Sequence, residues 1–154
     1  MLFSCRENSE KTFENFSLSI SNQDFNYNLE SGIFQIPGIN FVDTIKLNKV
    51  EKNKISKVFY QFHIDTLNGE KFILPKKHII MPDFRNVIII KVKNIQTSKL
   101  IISNQIETKS DLNNIENGIY NFNKDLIEIL DNNPDFKNCM NILNSNYKNI
   151  PPAM

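Results

Sequence analysis

A chain of 154 residues, 40% apolar and 23% charged with a formal net charge of +1, is long enough for one hydrophobic core and too apolar for intrinsic disorder. Its two cysteines, Cys5 and Cys139, exclude a disulfide scaffold, and no run approaches the roughly 18 consecutive apolar residues of a membrane helix. The 24 Asn, 23 Ile and 16 Lys, against 2 Arg, 1 Ala and no Trp, are what an AT-rich gene would encode, and the Asn residues are scattered among apolar ones rather than gathered in a tract.

Residues 1–14 read as a flexible polar tether ahead of a single domain over 15–150. Phe16, Leu18 and Ile20 alternate with serines, and Phe25, Tyr27 and Leu29 with polar residues, the period-two pattern of half-buried strands. Asn22, Gln23 and Asp24 supply the turn between them. GIFQIPGINF predicts a short strand, a bend and re-entry through INFVDTIKL, so an antiparallel meander opens the fold. In NKVEKNKISKVFYQFHI, Ile55, Val58, Phe59 and Phe62 fall at i, i+3, i+4 and i+7, one helical face, whereas a strand would leave Phe59 in water. Asn48 and Glu51 supply a capping box at the start of that helix.

The next segment, DTLNGEKFILPKKHIIMPDF, is broken by Asn68-Gly69, Pro75 and Pro82 and predicts a turn and a long loop. NVIIIKVKN and SKLIISNQ predict a hairpin joined across residues 95–98, its first strand central and covered on both faces because Ile88, Ile89 and Ile90 are consecutive. Leu126, Ile127, Ile129 and Leu130 in NKDLIEILDNN form an amphipathic helix. Pro134 after Asn133 suits the first turn of another, carrying Phe136, Cys139, Met140 and Leu143, and Pro151-Pro152 ends the structure. The sum is an α+β domain: an antiparallel sheet of N-terminal meander plus later hairpin, with one central helix and C-terminal helices packed on one face.

The near-zero net charge conceals an uneven layout, with twelve basic and four acidic residues from Lys46 to Lys99. Lys49, Lys52, Lys54, Lys57, Lys76, Lys77 and Arg85 are the candidate basic surface, able to attract phosphate, nucleic acid or another polyanion. A solvated lysine face explains the same residues, and the shortage of forked Arg donors argues against sequence-specific reading of bases. His63 and His78 are the only histidines, and no His, Cys, Asp and Glu spacing matches a metal site. Cys139 lies on an apolar helical stripe and reads as a small core residue rather than a nucleophile. Pro82-Asp83 ahead of a strand with Lys91 has the layout of a metal-dependent nuclease, but Ile89 stands where the second carboxylate is required. No cofactor motif is present: Gly32 and Gly38 read as strand-bend residues.

Leu2-Phe3-Ser4-Cys5 resembles the end of a bacterial lipoprotein signal, and RENSEKTFEN after it resembles the polar tether that small envelope lipoproteins place before their domain. The resemblance implies a lipid on Cys5, with the basic and apolar parts of the signal lying upstream of Met1 in a longer reading frame. It implies a compartment and no activity; without that lipid the expected location is the cytoplasm.

Three functional readings follow. The first is a non-enzymatic interaction domain with a protein partner, envelope-tethered through Cys5, of an immunity or inhibitor type. The second is a cytosolic accessory protein for nucleic acid or another anion, using the basic segment 46–99. The third is a small hydrolase with its site around His63, Asp65 and His78.

Overall fold

The computed structural model describes residues 11–76, 79–106 and 112–148. Seven strands form one sheet in the order β4-β3-β2-β1-β6-β7-β5, and three helices cover one side of it. The α+β architecture read from the sequence is the observed one. Strand β1 (Phe16–Ser21) buries Phe16, Leu18 and Ile20 and turns its serines away. The Asn22 side chain closes the turn to β2 (Asn26–Asn28) by accepting from the Asp24 and Phe25 amides at 2.8 and 3.0 Å. β3 (Ile33–Ile36), a short 3-10 turn at Pro37–Ile39 and β4 (Phe41–Thr44) complete the antiparallel meander.

Helix α1 (Lys49–Gln61) begins at the predicted capping box, where Asn48 accepts from the Glu51 amide at 2.9 Å and the Glu51 carboxylate accepts from the Asn48 amide at 2.7 Å. Ile55 and Phe59 are fully buried, and Phe59 stacks on Phe16 with centroids 3.8 Å apart. Of the expected tether, residues 1–10 lie outside the described residues, while the rest is fastened to α1. Ser56 Oγ donates to the Lys11 carbonyl at 2.8 Å, and Phe13 packs edge-on to Phe16.

Three elements differ from the sequence reading. Within the expected long loop lies a strand, β5 (Gly69–Ile73), paired in parallel with β7. Gly69, at φ +72, turns the chain onto the sheet edge instead of closing a hairpin. The hairpin of β6 (Arg85–Val92) and β7 (Ile95–Ser103) turns at Lys93-Asn94, not across residues 95–98. Both turn residues have positive φ, 52° and 63°, which fits the right-handed strand twist as type I′ hairpins do. β6 is interior as expected but not covered on both faces: Ile88 and Ile90 are buried, Val87 and Ile89 only half-buried.

Helix α2 (Asn114–Asp131) starts well before its predicted apolar stripe, because Asn113 and Glu116 form a second capping box. Its buried line is Ile119, Phe122, Leu126 and Leu130, with Ile127 and Ile129 on the flanks. α3 (Pro134–Lys148) has Pro134 in its first turn and Asn133 as its cap, whose Oδ1 accepts from the Phe136 amide at 3.0 Å. Phe136 sets its ring against Phe25, Tyr27 and Phe34, and so joins α3 to the meander.

Candidate functional site: the sheet face opposite the helices and a pinned apolar loop

All three helices pack on the same side, so among the described residues no helix covers the other face. The pairing registers define what that face presents. Val42, Gln35, Asn26, Ser21, Val87, Ile101 and Phe72 lie opposite one another in turn, a single row crossing all seven strands. The row is apolar at the β6-β7-β5 end, short and polar in the middle, and apolar again at Val42. Val42 is 62% exposed and Phe72 50%, while Ile101 is only 8% exposed although it lies outside the main core. Its strand neighbours there are Phe72 and Val87, and two residues further along the same face of β7 Ser103 is covered by the Asp83 side chain. A parallel row carries Asn28, Ser19, Ile89, Lys99 and Glu70, the last two joined by an ion pair at 3.0 Å.

Beside the apolar end stands the segment that leads from β5 to β6. Ile80 is 75% exposed and Met81 79%, with Ile79 and Phe84 also exposed. Such a stretch would ordinarily fold inward, yet polar contacts hold it out. The Gln105 side-chain amide accepts from the Ile80 amide at 2.8 Å and donates to the Ile80 and Pro82 carbonyls. The Asp83 carboxylate, its side chain 2% exposed, accepts from Ser103 Oγ and from Arg85 Nε, both at 2.6 Å. Burial alone would raise the Asp83 pKa, but these two hydrogen bonds and the guanidinium charge outweigh it and hold the carboxyl below its usual range. The loop is thus ordered before any partner arrives, which lowers the entropic cost of binding.

The candidate basic residues do not share one surface. Lys52 lies over the Phe13 ring, 5.8 Å from its centroid, on the side of α1 facing the amino-terminal segment. Lys54 and Lys57 line a hollow of about 510 Å³ between α1 and α2, whose opposite wall carries Asp125 and Glu128. Lys49 and Lys76 are exposed, and Arg85 is committed to Asp83 on the far side of the sheet. Lys77, His78 and Cys5 lie outside the described residues. His63, exposed with φ +55, and Asp65 line different hollows, the first between α1 and the start of α2, the second beside Tyr60 and Lys91.

Cys139 is fully buried, and burial, with Asp43 and Asp135 nearby, pushes its thiol up to about 11. Tyr27 is raised further by burial and by Glu51, and its hydroxyl has no hydrogen-bond partner among the described residues. No group of three or more His, Cys, Asp or Glu among the described residues could hold a metal ion, and no described helix is long and apolar enough to cross a membrane.

Sequence reasoning missed Phe72, Val87, Ile101 and the 79–84 loop as a site. The available signal was two adjacent apolar residues, Ile101-Ile102, in a strand that alternation would make polar on one side, and an Ile-Ile-Met run inside a supposed loop. No family model, curated protein or solved structure matches this chain.

Proposed function

We propose that this chain is a non-enzymatic interaction domain that docks a protein partner on the sheet face opposite the helices and the apolar loop 79–84. The observation that carries this reading is the pinned loop. Ile80 and Met81 project into water on a backbone held by Gln105, beside the apolar end of the Val42 to Phe72 row. Exposed apolar side chains on a held backbone serve as anchors of protein interfaces, because the backbone loses little freedom when they are buried. An immunity or inhibitor role is of this kind, since a small domain of that type acts by covering its target. The lipid-box resemblance at Cys5 supports tethering to an envelope membrane. The mass of the native amino terminus tests that part: a diacyl or triacyl adduct establishes it, and an unmodified Met1 ends it.

The docking surface is tested by placing a photo-crosslinking amino acid at Met81 or Gln35 in the source cell, with Lys137, exposed on α3, as the control position. The expected result is one discrete adduct from each face position and none from the control. Equal labelling at all three positions, or none anywhere, would remove the proposal.

A further inference from the structure

The end of the open face built by β5, β7 and β6 has an apolar centre of Phe72, Ile101 and Val87, with Ile89 beside it. The charges at its margin cancel: Glu70 pairs with Lys99 at 3.0 Å and Asp83 with Arg85 at 2.6 Å. A surface shaped for an oppositely charged partner carries a single sign. An isologous pair instead places residue i on residue j and j on i, so an acid and a base side by side at the edge of an apolar centre complement their own copy. We propose, resting on the docking reading above, that the partner is a second copy of this chain, with apolar end on apolar end and Glu70 of each copy meeting Lys99 of the other.

The size of the face agrees with a modest dimer. Seven strands at a spacing of ~4.8 Å span ~29 Å, and about five residues at ~3.3 Å each give a projected area of about 500 Å². Corrugation by side chains brings the accessible area towards the ~800 Å² per partner of a standard interface. To reach that area the two sheets lie like strand on like strand about a twofold running across the strands, so the middle of the face is used as well and each Glu70 lies one strand spacing from Lys99 of the other copy. Ser21, Asn26 and Gln35 there are uncharged, so closing the two faces buries no unpaired ion along that row.

Sedimentation velocity on the full chain from about 1 to about 100 μM spans the micromolar affinities of small interfaces. The wild type is expected to pass from monomer to dimer within that range, and Phe72→Lys to weaken the dimer tenfold or more. Glu70→Lys and Lys99→Glu should each weaken it alone, whereas their equimolar mixture should form a heterodimer, because each repulsive surface then faces its opposite. That rescue separates an interface contact from a merely structural one; circular dichroism and thermal melting of each variant report its fold. A wild type that stays monomeric throughout, a dimer indifferent to Phe72→Lys, or a mixture no tighter than its components would overturn the inference. A monomer that still crosslinks to another protein through Met81 leaves the docking reading standing while this one falls.

Discussion

Asn133 ties three segments together through one amide. Its Nδ2 donates to both Glu51 carboxylate oxygens at 3.1 Å and to the Lys46 carbonyl at 3.3 Å, while its Oδ1 caps α3. Both side chains are buried, so removing the amide leaves a helix uncapped and a buried carboxylate short of donors. Asn133→Ala should cost about 2–4 kcal/mol in urea unfolding; a loss under about 1 kcal/mol would mean that water takes over both roles. Asp83 gives a pH signature. Its folded pKa lies below the unfolded value, so its contribution is present above the unfolded pKa of ~3.9 and is lost as pH falls through the folded one. The gap in urea midpoint between wild type and Asp83→Asn should accordingly be largest near neutrality and shrink in acid. A pH-independent gap would assign the effect to packing.

Among the elements, the turns carry the strain that the strands do not. Gly32 has φ +76, and a Cβ there would stand 2.7 Å from the Ile45 carbonyl oxygen, which itself belongs to backbone and has little room to yield. Gly32→Ala should destabilise by more than about 1 kcal/mol, read as a lowered melting temperature. The β6-β7 turn is the converse case, since Lys93 and Asn94 hold positive φ without glycine. Replacing them with Asn-Gly, the pair best suited to such a turn, should stabilise by about 0.5–1 kcal/mol. No gain in melting temperature would show that the native pair already meets the conformation without cost.

For the molecule as a whole, the two sides of the sheet should respond differently to substitution. Phe136 sits between α3 and the meander with its ring against Phe25, Tyr27 and Phe34. Phe136→Ala should therefore cost about 3–5 kcal/mol by transfer and cavity terms together. Val42→Lys, on the open face, should change the stability of the monomer by no more than about 0.5 kcal/mol, read in thermal melts at concentrations below the dimer transition. A large loss there would mean that the face is covered within the monomer itself.

What the sequence determined was local. The alternation of Phe16, Leu18 and Ile20, the capping box of Asn48 and Glu51, and the Asn133-Pro134 start of α3 each act over a few residues, so each could be read from spacing and is where expected. The apolar stripes likewise chose the buried side of every helix. Tertiary structure decided what spacing cannot encode. β5 exists because Phe72 and its neighbours find β7, nearly thirty residues further on, as a parallel partner; alone, GEKFI is too short and too polar to declare itself a strand. The cross-sheet row, the pinning of Ile80 by Gln105, and the separation of Lys52, Lys54 and Arg85 onto different surfaces all depend on strand order and helix placement. The candidate core was therefore legible in the sequence, because burial follows local periodicity, whereas the candidate site was not, because a surface is assembled from residues that only folding brings together.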